Sequence, residues 1–229
     1  MARLVAIHSG KSRTYYEDGV AFTTAICKQA VAGPVRVDES GLVGDEVANH
    51  KNALYAYCAE AYDYWNRQLQ PAEPWCYGTV GENLTLQGID ERRVRIGDLL
   101  RVGGVLLQVS GCRAPCANFL WRVKLPGSFL RTYQASGRSG FYLEVLEPGV
   151  IQVGDALQHI PCRHDSISVP ALARFLLQPQ PDPVELDRLI AIPGMGQQML
   201  SALVATRNLS TERSLVKRNR WVGWRPFVV

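Results

Sequence analysis

Long apolar runs are missing from this chain of 229 residues, and no stretch approaches the roughly 20 residues that a membrane-spanning helix needs. The N-terminal MARLVAIHSG has too short an apolar part, and no small-residue cleavage site, for a signal peptide; the cytoplasm is the expected compartment and no membrane contact is expected. A GxGxxG element is absent, as is a four-cysteine cluster, which leaves no local signature of a flavin or iron–sulfur centre. Charge of one sign is scarce too, since 25 Lys and Arg against 21 Asp and Glu leave only +4. That excess suits an anionic ligand and is too weak to argue for nucleic acid. Six cysteines in a chain of this size do not form the framework of a small secreted domain. Only Cys112 and Cys116 lie close together, and without a second pair downstream zinc is not expected. Most of the six are expected as small buried apolar groups.

What is present is a β-rich region followed by a helical one. RLVAIHSG, VGENLTLQG, RVRIGDLLRVGG, VLLQVSG, GFYLEVLEPG and VIQVGDALQHI read as short strands bounded by Gly, Pro or Asp. TTAICKQAVAGPVRVDESG alternates before a turn at Glu39–Gly41. Strands at this spacing imply a barrel or sandwich. One helix interrupts them: in AEAYDYWNRQL, Ala61, Tyr62, Trp65 and Leu69 share a face of a 3.6-residue period. GSFLRTYQAS reads as a shorter helix ending at Gly137. After residue 162 the character changes. Ser168 before VPALARFLL and Asp182 before Pro183 are helix starts, and GQQMLSALVATR gives a third helix, followed by a basic aromatic tail. The expected division is residues 1–162 and residues 163–229.

IAIPGMGQQMLSALVATR has the outline of a helix–hairpin–helix element, whose turn would offer backbone amides to DNA phosphates. Pro and Gly are equally the ordinary punctuation of a tight turn between packed helices, and the residues argue against nucleic acid.

Four pieces then occur in a telling order: SGKS at 9–12, GPVRVDESGLVGDE at 33–46, VGENLTLQGI at 80–89 and QVSGCRAPCANF at 108–119. Together they resemble the MOSC family, the C-terminal domain of molybdenum-cofactor sulfurases and the core of amidoxime-reducing enzymes. The likeness is to the small bacterial members with a C-terminal three-helix domain, of the type linked to hydroxylaminopurine resistance. It implies a mainly β fold with α elements: a MOSC-type β-barrel and then a small three-helix domain. It further implies molybdenum cofactor (molybdopterin) as the bound group, with Cys116 of Arg113–Ala114–Pro115–Cys116 as metal ligand and catalytic residue. Soft thiolates suit such a metal, and a guanidinium beside a thiol favours the thiolate form. Pro115 biases Ala114 toward an extended conformation. Lys11 and Ser12 match a position that contacts the phosphate-bearing tail of the cofactor, Asn83 matches an asparagine near the pterin, and Arg138 is a further candidate anion contact. Cys112 does not match a ligand position and reads as a buried neighbour, and Asp45 as a turn-tying carboxylate.

One departure stands out. The relatives continue from the GDE segment into a His-Gly-Gly-x-Asp stretch, whereas GDEVANHKNALYAY passes from Lys51 to Asn52 and Ala53 without it, and His50 cannot be taken to replace the missing histidine.

The implied activity is reduction of N-hydroxylated compounds, such as hydroxylated purine bases or amidoximes. The protein would supply thiolate, orientation and pocket, and a separate reductase would supply electrons. A carrier that passes on the cofactor or its sulfur remains an alternative, with nucleic-acid binding through the C-terminal helices more remote. Pyridoxal phosphate is suggested by the company this domain keeps, yet no lysine in a Schiff-base pocket can be picked out.

Overall fold

The turns marked by Gly, Pro and Asp do delimit strands. In a computed structural model that describes residues 1–46 and 53–222, with side chains described as far as residue 209, thirteen strands and six α-helices alternate. The strands are β1 (Arg3–Ser9), β2 (Arg13–Glu17), β3 (Val20–Thr24), β4 (Gln29–Ala30), β5 (Val35–Asp38), β6 (Gly41–Leu42) and β7 (Leu54–Cys58). They continue with β8 (Leu84–Gln87), β9 (Leu99–Val102), β10 (Val105–Cys112), β11 (Phe141–Glu147), β12 (Gly149–Ile151) and β13 (Leu157–Ile160). The helices are α1 (Ala59–Leu69), α2 (Ala117–Val123), α3 (Phe129–Ala135), α4 (Val169–Phe175), α5 (Pro183–Ile190) and α6 (Gln197–Val222). His50 and the departure around Lys51 and Asn52 lie outside the described residues, as do the side chains of the basic tail.

Eight strands form the main sheet in the order β13-β9-β10-β11-β7-β8-β1-β4. The expected barrel is corrected here, because among the described residues strand pairing does not close the ring. The start of β1 meets the approach to β13 through one isolated bridge, Arg3 to Ala156, supported by backbone bonds such as Leu4 N–H to Asp155 O at 2.9 Å. Beyond it β1 pairs with the two-residue β4, whose shortness leaves no ladder to continue. The sheet is therefore an open one, with β12-β5-β6 and the β2-β3 hairpin beside it.

Local chemistry explains the pieces that set up the site. Gly103–Gly104 makes the two-residue turn from β9 to β10, and Gly103 has φ +52°, a conformation that favours glycine. Strands β7 and β8 pair in parallel, which requires a crossover, and α1 supplies it. Helix α1 buries Ala61, Tyr62 and Trp65 as its periodicity implies. Trp65 stacks on Tyr133 of α3 with centroids 5.4 Å apart, and Tyr133 meets Phe119 of α2 at 4.5 Å. This aromatic cluster clamps α2, and with it the residue at its N-cap, Cys116, against the sheet. Ser168 and Asp182 cap α4 and α5 through their side chains, each with Pro in the first turn. The C-terminal helices share one continuous apolar core with the sheet, which includes Leu172, Leu186, Met199 and Leu203.

Candidate active site

At the end of β10 the chain separates the two neighbouring cysteines. Cys112 pairs in register with Phe141 of β11, is fully buried, and burial pushes its thiol up to about 12. Four residues later Cys116 stands in extended conformation (φ −130°, ψ 179°) as the N-cap of α2. Its carbonyl accepts from Phe119 N–H at 3.0 Å, while its thiol makes no capping bond and is exposed. The expectation of mostly buried thiols holds for Cys58 and Cys112. Cys76 and Cys116 are exposed, and Cys27 and Cys162 half-buried, because loops and strand ends carry them.

Cys116 opens onto a cleft of about 170 Å³ that it shares with Arg113, Lys28, Tyr55, Tyr142 and Gln198. Arg113 is 8% exposed. One guanidinium nitrogen donates to the Tyr142 hydroxyl, and the guanidinium carbon lies 5.1 Å from the Tyr55 ring centroid and 5.8 Å from that of Tyr142. Desolvation opposes its charge, yet Tyr142, Tyr55 and Cys116 outweigh that cost and hold the group protonated. Among the described residues no carboxylate pairs with Arg113. It is a buried cation surrounded by aromatic rings, beside an exposed thiol.

Lys28, which the sequence did not single out, is the second cation of the cleft. Its ammonium is bound by both oxygens of Asp45, and desolvation lowers its pKa against the pull of that carboxylate. Asp45 also accepts Gly10 N–H at 2.7 Å and the Asn83 amide at 2.8 Å. It ties three segments together, a wider role than the single turn expected of it. Asn83 is 2% exposed and committed to the protein: Oδ1 accepts Tyr55 N–H at 3.1 Å, and Nδ2 also donates to His8 O at 3.2 Å. Asn83 thus stands behind the cleft and acts on it through Asp45.

Lys11 and Ser12 reach only the rim. Lys11 Nζ pairs with Glu46 Oε1 at 3.1 Å and Ser12 N–H donates to Glu46 Oε2 at 2.8 Å, Glu46 itself lining the cleft. The Ser12 N–H and then Lys11 hold the Glu46 carboxyl below its usual range. Arg138 is not brought to this site. Its guanidinium lies 4.4 Å from the Tyr64 ring centroid, in a separate cleft with Cys58 and Glu91.

The turn between α5 and α6 does not offer its amides outward. Gly196 N–H donates to Ser110 O at 2.7 Å, Met195 is buried, and a Cβ at Gly194 would stand 2.9 Å from Gly97 Cα. These contacts commit the turn to packing on the sheet, against its reading as a phosphate-binding hairpin. Among the described residues no helix is long and apolar enough to cross a membrane.

Comparison with known proteins identifies the family of the chain. The model of the MOSC domain matches residues 34–158. Protein YiiM of Escherichia coli (strain K12) is 30% identical over 224 residues, covering 95% of this chain and 97% of that protein. A protein named Reductase from Gibberella moniliformis is 37% identical over 147 residues, 61% of this chain but 26% of that protein. The crystal structure of YiiM from Geobacillus stearothermophilus matches with a TM-score of 0.74 at 26% identity, covering 90% of this chain and all of that one.

Proposed function

The chain belongs to the MOSC domain family, and from that premise we propose that its Cys116 cleft binds a molybdenum cofactor and reduces N-hydroxylated compounds such as hydroxylated purine bases and amidoximes. The observation that carries this reading is the pairing of an exposed thiol with a buried guanidinium that has no carboxylate partner among the described residues. A soft thiolate suits molybdenum, and a buried cation without a counter-ion suits an anionic group. The donor set therefore fits the cofactor. Likeness to a protein named a reductase supports a redox role.

In this reading Cys116 holds the metal. Arg113, fixed by Tyr142 and Tyr55, supplies the charge that meets the anionic part of the cofactor, with Lys28 as a second cation. Asn83 and Asp45 hold Lys28 in place. Lys11 and Ser12 act from the rim on a phosphate-bearing tail. When bound, the cofactor supplies two-electron reduction. The balanced reaction is R–NHOH plus two electrons and two protons giving R–NH2 and water. A separate reductase delivers the electrons, since the chain carries no motif for a second redox centre, and solvent delivers the protons.

The test is molybdenum per chain after expression in a cofactor-making host, with Cys116→Ala as control. Near-stoichiometric metal that the variant loses supports the reading, and reduction of an amidoxime with a reductase present then separates an enzyme from a carrier. A folded wild-type chain without metal overturns it.

A further inference from the structure

The helix that begins at Cys116 carries a second polar group into the cleft. Cys116 is the extended N-cap of α2, so its side chain leaves the backbone before the helical rotation starts. Asn118, in the first turn, lines the same cleft and is half-buried. The residue after it, Phe119, is 1% exposed and packs on Tyr133 and Trp75 with ring centroids 4.5 Å and 6.3 Å away. That anchor fixes where α2 stands, and with it the backbone that bears Asn118. Among the described residues the Asn118 carboxamide has no hydrogen-bond partner.

The other polar groups of the cleft are one-sided or spent. Lys28 and Arg113 bring donors only. The Tyr55 hydroxyl donates to Ser139 O at 2.7 Å, and the Thr24 hydroxyl accepts Ile26 N–H at 3.2 Å. Glu46 brings acceptors only, already facing Lys11 and Ser12. Gln198, the second carboxamide there, is not free.

A carboxamide sets a donor beside an acceptor in one plane. An amidine unit is its complement: a ring or imino nitrogen accepts and the adjacent amino nitrogen donates. Hydroxylated purine bases and amidoximes share that unit, and so do the amines they become. Amide side chains pair with adenine through the same two points. The N–O bond to be broken sits on one nitrogen of the unit, so whatever reads this edge must share the cleft with the metal ligand.

We propose that Asn118 is the specificity-determining residue of the site, its carboxamide pairing with the amidine edge of the substrate. The proposal rests on the function assigned above.

The experiment uses the full chain from a cofactor-making host as wild type, Asn118→Ala, Asn118→Leu and, as an exposed control outside the cleft, Gln197→Ala. Leucine keeps the volume of the side chain and removes both polar functions. Molybdenum content is measured first, then binding of adenine, with unsubstituted purine, which lacks the amino group, as comparison ligand. Both Asn118 variants are expected to keep their metal and to lose about tenfold in adenine affinity. Purine should bind them nearly as it binds wild type, and Gln197→Ala should behave as wild type throughout. Unchanged adenine affinity in Asn118→Leu, an equal loss for adenine and purine, or no adenine binding by metal-loaded wild type would each overturn the proposal. Loss of molybdenum from both Asn118 variants overturns it too, since the carboxamide would then serve the cofactor. A wild-type chain without molybdenum defeats the function proposed above and this inference with it. A loaded chain indifferent to Asn118 defeats this inference alone.

Discussion

Lys28 Nζ lies 2.6 Å from Asp45 Oδ1 and 2.7 Å from Oδ2, in an ion pair whose side chains are 7% and 3% exposed. Two charges this deep are costly to desolvate, and their attraction offsets the cost only when the remaining lone pairs are also satisfied. Gly10 N–H and the Asn83 amide satisfy them on Asp45. The pair joins the end of β1, the segment before β4 and the segment before β8 behind the Cys116 cleft.

The two partners differ in what each leaves behind when removed. Asp45→Asn strands a buried ammonium and should cost about 3–5 kcal/mol. Lys28→Met removes the cation and leaves Asp45 with two N–H donors, so its cost should be smaller, about 1–2 kcal/mol. Urea unfolding of both variants checks the order. Equal costs would show that Gly10 and Asn83 contribute little to holding the carboxylate.

The thiols should divide by depth. In the folded chain, Cys116 and Cys76 should react with a thiol reagent within minutes, and Cys112 and Cys58 only after unfolding, since the thiolate is the reactive form and burial disfavours it. Mass spectrometry of the labelled protein checks this. Rapid labelling of Cys112 in the native chain would mean that the end of β10 opens.

The division between legible and hidden features follows the range of the interactions. Helix α1 was legible because its apolar residues repeat within one element, and Ser168 and Asp182 because caps are local. Helix α2 was not, being seven residues long and held by ring contacts to Trp75, Phe129 and Tyr133 on other segments. Strand β7 escaped because it is buried on both faces and does not alternate. Arg113 and Cys116 emerged from the ordered motifs of a family, and the diverging environments of Cys116 and Cys112 required the β10–β11 register. Lys28 and Gln198 carry no local signal at all. One is defined by a carboxylate 17 residues away, the other by the docking of α6 on β10.

Glu91 should make stability fall as pH rises. Burial pushes its carboxyl up to about 8, against the pull of the Gly140 N–H that it accepts at 2.6 Å and of the Arg138 charge. The folded chain therefore keeps a proton on Glu91 that the unfolded chain releases near its ordinary 4.5. The associated stability is fully present below that value and lost as pH rises through about 8. Glu91→Gln keeps an acceptor for Gly140 and cannot ionise. Its stability relative to wild type should therefore improve by a few kcal/mol between about pH 5 and pH 9 in thermal unfolding. Parallel curves for the two proteins would place the titration elsewhere.

Arg113→Lys separates charge from shape. Both side chains are cations, but the planar guanidinium can donate to Tyr142 while lying over aromatic faces, and an ammonium on a flexible stem does not reproduce that set. The folded state should lose about 1–2 kcal/mol. Molybdenum content should fall below wild type although the formal charge is unchanged, because the cation is no longer held beside Cys116 by Tyr142 and Tyr55. Arg113→Met, which removes the charge and keeps an apolar stem, should load still less metal. If lysine loads as well as arginine, positive charge alone is what the cleft requires of this position, and the aromatic frame serves the stability of the sheet.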